Sequence, residues 1–264
     1  MSGPVGAGSP AGVLVAIPAH DEEDLLAGCL EQVLAALHHA RSAGSIARAV
    51  VAVTAHRCTD RTAAVAREVL TRATLSTGLA VGWHVLEDEG SATIAEVRRA
   101  AVEAGARSLE DTAGAGDHGI WLFNTDADSL VPPEWITHTL RIAARERAVA
   151  VAGLVEVTGW EPPPSVLWAY DTLVARGLHG SGHDHAYGAN LAVRLDAYRA
   201  VGGFTPRRHG EDHELLRRLR GAGHRVATPL SPRVSTSGRE NPRCPDGLGA
   251  LLRRLGEASG TAPA

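Results

Sequence analysis

The stretch LFNTDADSLVPPEWI, Leu122–Ile136, starts as an apolar strand and ends in the first turn of a helix. Between these two parts, Asp126 and Asp128 are separated only by Ala127. Residues two apart in an extended segment point to the same side, so we expect both carboxylates to project together from the end of the strand. Two carboxylates that close repel each other, so we also expect a positive charge near them.

Apolar runs alternate with helical patterns along the chain. The run VLVAIP is short, continuous and ended by Pro18, which is typical of a strand buried on both faces. The alternation predicts right-handed βαβ units, and hence an α/β fold with a mostly parallel sheet. The predicted strands cover residues 13–18, 47–54, 79–87, 119–125, 148–159 and 189–194. The predicted helices cover residues 20–37, 60–73, 92–106, 165–176, 195–203, 211–223 and 248–259, and another is opened by Pro132 and Pro133.

Several segments carry no regular pattern. Residues 1–12 are rich in Gly, Ser and Pro, and we predict that they and residues 256–264 form disordered tails. Residues 110–119 read as a polar surface loop, and residues 231–247 are loop-like.

The composition excludes several classes of protein. A chain of 264 residues suits one α/β domain, and its net charge of −4 at pH 7 provides no basic field for nucleic acid. All 26 residues counted as Lys or Arg are arginine. The absence of lysine excludes a lysine Schiff base, a pyridoxal phosphate enzyme and a P-loop.

The cysteines and the start of the chain bear on location. Cys29, Cys58 and Cys244 are odd in number and form no CxxC pair, which indicates reduced thiols rather than a disulfide framework. The first residues have neither a basic region nor a long apolar run, so we expect no signal peptide. No segment is apolar for long enough to span a bilayer. We therefore predict a cytoplasmic protein without a membrane span.

Polar side chains follow four of the predicted strands, at the edge where open parallel sheets bind ligands. Their carboxylates suit a hard divalent cation, Mg²⁺ or Mn²⁺, which completes its coordination with substrate phosphates. The acidic pair therefore suggests a nucleoside diphosphate bridged by a metal. Asp126 and Asp128 could also be ordinary acids of a turn, since D-x-D is frequent by chance, and it is their position that favours a site. The segments are PAHDE (18–22), TAH (54–56), EDEG (87–90) and TDAD (125–128).

Five motifs occur in a characteristic order. They are VAIPAHDEEDLLAGCLEQVLA (15–35), VVAVTAHRCTDRTAAVA (50–66), FNTDADSLVPPEWI (123–136), YGANLAVRLDAYRAVGGF (187–204) and GEDHELLRRLRGAGHRV (210–226). In this order they resemble the family 2 glycosyltransferases with the GT-A fold, a Rossmann-like sheet flanked by helices with a smaller acceptor-side region. The resemblance extends from about Val13 to Ala227, and the five motifs together are more specific than any one of them.

The resemblance implies a metal-dependent, inverting transfer of a sugar from a nucleoside-diphosphate donor to an acceptor hydroxyl. In relatives the first acid of D-x-D approaches the donor ribose and the second the metal, which implies these roles for Asp126 and Asp128 at one Mn²⁺ or Mg²⁺ site. Asp212 matches the general base, a role that suits a carboxylate within reach of the hydroxyl proton. Glu211 beside it would raise the proton affinity of Asp212, whereas a helix N-terminus would lower it.

Further residues are expected to bind the donor. In the GAN segment, small residues would let the backbone approach a sugar, and the Asn190 amide would offer a donor and an acceptor to hydroxyls. We expect one domain at 13–255, with a nucleotide-sugar-binding half at 13–130 and an acceptor half at 131–255. The expected donor-binding residues are Pro18, Ala19, His20, Glu22, Thr54, His56, Asp60, Gly90, Arg98, Asp126, Gly188, Ala189, Asn190 and Arg239.

Several points stay open. Relatives that use uridine nucleotides commonly carry an Asp near Thr54 or Ala55, which is absent here, so UDP-, GDP- and dTDP-sugars are all candidate donors. The acceptor, a small molecule or a glycan, is open, and so is a homodimer. The alternatives are a catalytically silent nucleotide-sugar-binding protein and a sugar-1-phosphate nucleotidyltransferase, although the latter needs a Gly-rich basic first loop that IPAHDEED lacks. His179, His183, Asp184 and His185 could form a second metal site or a mobile acceptor-side loop.

Overall fold

The computed structural model describes residues 12–76, 81–111, 119–207, 209–239 and 247–260. Of the predicted tails, residues 1–11 and 261–264 lie outside the described residues. Most of the loop predicted at 110–119 also lies outside them, as does Cys244.

A central sheet organises the described residues. Its seven strands lie in the order β11-β6-β10-β4-β1-β2-β3, and a smaller sheet has the order β5-β12-β7. A two-stranded hairpin, β8-β9, completes the strands of this part of the chain. The bounds are β1 Gly12–Ala19, β2 Ala49–His56, β3 Val81–Asp88, β4 Ile120–Asn124, β5 Ser129–Leu130, β6 Ala150–Ala152, β7 Val155–Thr158, β8 Leu178–His179, β9 Gly182–His183, β10 Leu191–Arg194, β11 Val226–Ala227 and β12 Val234–Ser237.

Helices cover both faces of the central sheet, as expected for parallel strands that are buried on both sides. Along β1, the side chains of Val13, Val15 and Ile17 pack on one face and Leu14 and Ala16 on the other. The first face is covered by α1, α2 and α4, and the second by α3, α6 and α7. The helix bounds are α1 Leu26–Ser42, α2 Thr62–Ser76, α3 Ile94–Asp111, α4 Trp135–Glu146, α5 Pro164–Arg176, α6 Leu195–Ala200, α7 Glu211–Gly221 and α8 Leu248–Gly260.

The predicted parallel sheet is confirmed, with one reversed strand. Strands β1, β2, β3 and β4 pair in parallel, whereas β10 runs antiparallel to both β4 and β6. This insertion places the short 3₁₀ helix Gly188–Asn190, which leads directly into β10, at the end of the sheet where β4 ends. The reversed strand therefore brings the GAN segment to the same edge as the D-x-D segment.

Helix α1 begins later than predicted. Its first residue is Leu26 rather than His20, so the acids Asp21–Asp24 precede the helix and none lies in its first turn. Asp21 adopts a left-handed backbone with φ of +50°, and its Oδ1 accepts the Thr59 N–H at 2.7 Å. These contacts keep the acidic segment as a loop at the edge of the sheet.

Three predictions for the second half of the chain are wrong. The single strand predicted at 148–159 is two strands, β6 and β7, in different sheets, because the chain turns at Gly153, where a Cβ would collide with the Asn190 amide. The loop-like stretch 231–247 contains β12, which is parallel to β7. The tail predicted from residue 256 overlaps α8, which continues to Gly260.

None of the helices in the described ranges combines the length and apolar character that crossing a membrane would require.

Candidate functional site

The acids of the D-x-D segment lie where β4 ends, beside the ends of β1 and β10. The backbone there is a turn rather than the expected extended segment, because the Ser129 N–H donates to the Asp126 carbonyl oxygen at 3.1 Å. Ala127 between the two acids is buried in the core and anchors this turn. The carboxylates nevertheless stay near each other, since the charge of Asp126 contributes to the raised pKa of Asp128.

Arg98 of α3 supplies one of the positive charges expected beside the acidic pair. Its Nη2 donates to Asp126 Oδ1 at 2.6 Å and its Nε to Glu211 Oε1 at 3.2 Å. Burial lowers the pKa of Arg98, but the charges of Asp126 and Glu211 outweigh burial and raise it above its ordinary value. Arg98 therefore stays charged and connects the D-x-D segment to the start of α7.

Arg239, two residues after the end of β12, supplies the second positive charge. Its Nη1 donates to Glu22 Oε2 at 2.8 Å, and its Nη2 donates to Glu22 Oε1 and, at 2.8 Å, to Asp128 Oδ2. Two parallel bonds of this kind are the strongest arrangement between a guanidinium and a carboxylate. Arg239 thus ties the loop after β1 to the D-x-D segment.

Asp128 occupies the more enclosed position of the acidic pair. Burial raises its pKa from 3.8 to about 6, the charges of Asp126 and Glu22 act in the same direction, and Arg239 opposes them. The hydroxyl of Thr236 lies 3.4 Å from Asp128 Oδ1 and 3.0 Å from the Ser129 hydroxyl. Asp128 is therefore a carboxylate whose charge is costly in the fold without additional positive charge nearby.

The donor set fits a hard divalent cation. Around the D-x-D turn, five carboxylates interact with only two guanidinium groups, so a cation would offset the excess of negative charge. Oxygen ligands are those that Mg²⁺ and Mn²⁺ prefer. The carboxylates are Glu22, Asp126, Asp128, Glu211 and Asp212, and the guanidinium groups are those of Arg98 and Arg239.

Asp212 lies in the first turn of α7, half-buried, with Oδ1 accepting the His213 N–H at 2.7 Å. Burial raises its pKa, and so does the charge of Glu211, against the opposing effects of the His213 N–H, the His213 side chain and Arg98. Burial is the largest of these effects, and together with the charge of Glu211 it outweighs the contacts that favour the carboxylate, so the affinity of Asp212 for a proton is increased. Glu211 itself is buried against Arg98, so its contacts orient α7.

The GAN segment has a different role from the one expected. The Asn190 amide donates to the carbonyl oxygens of Leu154 at 2.8 Å and Pro232 at 3.0 Å, and its oxygen accepts the Trp135 indole N–H at 2.9 Å. With both N–H groups and the oxygen engaged inside the protein, the Asn190 side chain braces the strands instead of presenting its amide to sugar hydroxyls.

Gly188 and Ala189 are also buried. A Cβ at Gly188 would run into the guanidinium of Arg98, so this glycine makes room for the arginine as well as for any ligand. The physical reason for glycine here is therefore a close approach within the protein.

His20 and His56 lie at the same edge of the sheet, after β1 and at the end of β2. His56 Nδ1 lies 3.0 Å from Asp88 Oδ2, and His20 Nδ1 lies 2.7 Å from the His56 carbonyl oxygen. The Gly90 N–H donates to Asp88 Oδ1 at 3.1 Å, so Asp88 orders the loop after β3. His20, His56 and Gly90 thus lie near one another at this edge, and their binding of the donor stays a prediction.

Other predicted donor residues do not present their side chains at this edge. Pro18, Ala19 and Thr54 are buried inside β1 and β2. Asp60 accepts the backbone N–H groups of Thr62 at 2.9 Å and Glu23 at 3.0 Å, so it caps α2 and fixes the first loop to the second.

Of the four residues considered for a second metal site, His179 and His183 lie in the β8-β9 hairpin, and Asp184 and His185 follow it. His179 Nε2 lies 3.0 Å from Asp184 Oδ1 at the surface, whereas His183 is buried. The ring of His185 stacks on Tyr187 with centroids 5.7 Å apart. Burial, with smaller effects of Tyr170 and Asp212, raises the pKa of Tyr187 to about 12, so this tyrosine is neutral and lies on the Asp212 side of the site.

Two aromatic residues of α5 differ in their exposure to solvent. Trp168 is 71% exposed, whereas Tyr170 is buried and meets Trp160 edge-on at 5.4 Å. Tyr170 is therefore a core residue, whereas Trp168 is exposed to solvent.

Sequence reasoning did not assign roles to three residues at the site. Asp88 was signalled only as one of several acids at a strand end, and Tyr187 only as the first letter of the YGAN motif. Cys29 of α1, whose thiol donates to the Asp126 carbonyl oxygen at 3.3 Å, gave no signal at all. Its contact depends on how α1 packs against the D-x-D turn.

A comparison with family models matches residues 10–254 to the model described as "Glycosyltransferase like family 2". The curated proteins yield no match. The family match covers all five motifs, in the order on which the resemblance was based.

Solved structures with the same fold are similar at low sequence identity. The mannosyltransferase PcManGT from Pyrobaculum calidifontis, in complex with GDP-Man and Mn²⁺, matches with a TM-score of 0.63 and 16% identity, over 98% of this chain and 66% of that one. S. aureus TarS with UDP-GlcNAc matches with a TM-score of 0.60 and 11% identity, over 93% and 65%. GalNAc-T7 with UDP, GalNAc and Mn²⁺ matches with a TM-score of 0.56 and 14% identity, over 88% and 44%.

These similarities confirm the predicted GT-A fold. The chain spans about two thirds of the length of the first two structures.

Proposed function

The chain belongs to the glycosyltransferase-like family 2, and on that basis we propose that it transfers a sugar from a nucleoside-diphosphate donor to an acceptor hydroxyl. The observation that carries the proposal is that Arg98 joins Asp126 of the D-x-D segment to Glu211, the neighbour of Asp212, at one edge of the sheet. A metal-dependent donor site requires the D-x-D pair, and base catalysis requires Asp212. The D-x-D pair and Asp212 come from distant parts of the chain.

Asp128, with Asp126 beside it, is the proposed holder of Mn²⁺ or Mg²⁺. When bound, the cation would supply positive charge that stabilises the departing nucleoside diphosphate. Mn²⁺ accompanies GDP-Man in the PcManGT structure and UDP in the GalNAc-T7 structure, which supports a divalent cation at the corresponding edge. Arg239 is placed to contact the diphosphate, because it already binds Asp128 and guanidinium groups suit phosphate.

Asp212 is the proposed general base. Its carboxylate would accept the proton of the acceptor hydroxyl as that oxygen attacks the anomeric carbon from the side opposite the leaving diphosphate, which inverts the configuration. A raised pKa increases its affinity for that proton. Glu211 and Arg98 would position Asp212 without touching the acceptor.

The donor side would lie between His56 and Asp126. His56, paired with Asp88, stands at the end of β2, close to where relatives that use uridine commonly carry an aspartate. For this reason the proposed binding experiment includes UDP-, GDP- and dTDP-sugars. The cytoplasmic location and the homodimer stay predictions.

Calorimetry tests donor binding. We expect one of the UDP-, GDP- or dTDP-sugars to bind with Mn²⁺ present and to lose most of its affinity when Mn²⁺ is removed. If no member of the panel binds under either condition, both the transferase and the silent binder are excluded.

Hydrolysis of the bound donor separates an enzyme from a binder. We expect Asp212→Asn to keep donor affinity and to lower the rate about 100- to 10,000-fold, the usual contribution of a general base. Asp171→Asn, an identical change at an exposed position of α5, is the matched control and should leave the rate unchanged. An unchanged rate in Asp212→Asn would show that the base assignment is wrong.

A further inference from the structure

A second group of metal-ligating side chains lies away from the D-x-D acids. His20, Asp21 and Cys58 each offer a ligand atom, and these atoms lie within 4.8 Å of one another. His20 and Asp21 follow β1, and Cys58 follows β2, so the group lies where two adjacent parallel strands end. It was not singled out from the sequence, because Cys58 is 37 or more positions from its partners.

His20 contributes one ring nitrogen to the group. Its Nδ1 lies 2.7 Å from the His56 carbonyl oxygen, which can only accept, so Nδ1 carries the proton. The neutral tautomer then leaves a lone pair on Nε2. Metal-binding histidines commonly donate their other ring N–H to a backbone carbonyl in this way.

The other two ligands are held by the backbone of the opposite loop. The Asp21 N–H donates to Cys58 Sγ at 3.4 Å, and Asp21 Oδ1 accepts the Thr59 N–H at 2.7 Å. Asp21 keeps a φ of +50° to make these contacts, and Arg57, next to Cys58, has a φ of +47°. Such backbone conformations are costly for residues other than glycine and are found where the surroundings enforce them.

We propose that His20, Asp21 and Cys58 form a binding site for Zn²⁺, with one coordination position left to water. Sulfur, nitrogen and carboxylate oxygen together favour zinc, whereas Mg²⁺ and Mn²⁺ prefer oxygen alone. The site is therefore chemically distinct from the all-oxygen D-x-D site. Bound zinc would join the loops after β1 and β2 and lie beside His56, on the proposed donor side.

Titration of the purified full chain with Co²⁺ tests the site, since cobalt accepts the same tetrahedral ligands and is coloured. We expect a thiolate-to-cobalt charge-transfer absorption that saturates at one Co²⁺ per chain and disappears when Zn²⁺ is added. No donor or acceptor is needed, so the result does not depend on the proposed function.

Variants identify the ligands. Cys58→Ser should abolish the charge-transfer absorption, and His20→Gln should keep it but lower the Co²⁺ affinity by about tenfold or more, since even outer partners of metal ligands contribute that much. Cys29→Ala and Cys244→Ser, which remove the other two cysteines, should keep it, as should Asp128→Asn. Circular dichroism shows whether each variant is folded, and His20→Gln decides the question if Cys58→Ser does not fold.

Stabilisation by zinc provides a second measurement. A ligand that binds only the folded state raises the midpoint of thermal unfolding, so Zn²⁺ should raise it for the wild type and not for Cys58→Ser. The proposal is overturned if the wild type shows no charge-transfer absorption, if the absorption survives in Cys58→Ser, or if Asp128→Asn removes it.

Discussion

Two arginines neutralise the two acids of the D-x-D segment, and they do so in different surroundings. The Arg98 cluster consists of Arg98, Asp126 and Glu211, and the Arg239 cluster of Arg239, Asp128 and Glu22. The side chain of Arg98 is 4% exposed and extends from the second turn of α3, whereas that of Arg239 is 25% exposed and lies in the loop after β12. Each arginine bridges two carboxylates.

This difference in exposure indicates that the Arg98 cluster is structural, whereas Arg239 can exchange a carboxylate partner for a ligand. A fully buried charge cannot return to water without loss of the fold, so the Arg98 cluster is fixed. Arg239 is in partial contact with solvent and can trade a carboxylate for a phosphate at smaller cost. We therefore expect Arg98 to determine stability and Arg239 to determine ligand affinity.

Arg98→Met gives the largest expected change. It leaves Glu211 buried without a partner, and breaking a buried pair in this way typically costs about 3–5 kcal/mol of the free energy of unfolding. Urea denaturation measures it. Arg99→Met is the matched control. Arg99 is next to Arg98 on α3 but pairs with Glu103 at the surface, so this variant should change the free energy of unfolding by less than about 0.5 kcal/mol.

Equal losses in the two α3 variants would contradict the assignment. They would show that arginine at these positions contributes through helix propensity or surface charge and not through the buried cluster.

Arg239→Met is expected to cost less stability, about 1–2 kcal/mol, because its partial exposure lets water replace part of the lost charge. Its larger effect should be on affinity for the nucleoside diphosphate, measured by calorimetry. Arg145→Met on α4, which removes an exposed pair with Glu146, is the control for loss of an arginine elsewhere. A variant that binds the diphosphate as tightly as the wild type would exclude Arg239 from the donor site.

The pH dependence of Mn²⁺ binding gives the smallest expected effect. The pKa of Asp128 is raised from 3.8 to about 6, so its protonated form is favoured in the fold, and the stability it contributes is present below pH 3.8 and lost as the pH rises through about 6. A cation needs the carboxylate, so Mn²⁺ affinity should rise about tenfold per pH unit below pH 6 and level off above it.

Calorimetry across this range measures the affinity, and Asp128→Asn, which removes the metal-binding carboxylate, should bind Mn²⁺ more weakly and without this slope. A slope that persists in Asp128→Asn would assign the proton to another group, with Asp212 the next candidate because its pKa is also raised.

Much of the fold was predictable because burial patterns are local. Short apolar runs and helical spacing specify β1 to β4 and the helices between them, and the family motifs placed Asp126, Asp128 and Asp212 in order along the chain. Strand reversal at β10 and the β5-β12-β7 sheet were not predictable, since pairing depends on partners far away in the sequence.

The roles of individual polar residues were harder to predict than their presence. Arg98 and Arg99 are equivalent in the sequence, and only the packing of α3 decides which of them points inward. Asn190 belongs to a motif that suggests ligand contact, yet its hydrogen bonds are made by Trp135, Leu154 and Pro232. Sequence patterns identify which residues gather at a site, but the division between bracing and binding is set by three-dimensional contacts.

The ion pair between Glu22 and Arg239 joins residues 217 positions apart. A ribosome produces Glu22 long before Arg239, so the growing chain carries this acid without its counter-charge for most of its synthesis. Contacts between such distant residues form late, because a long loop must close first. We therefore expect the ion pair between Glu22 and Arg239 to form only after β12 and the loop that follows it have been synthesised. Most of the core can assemble before that point.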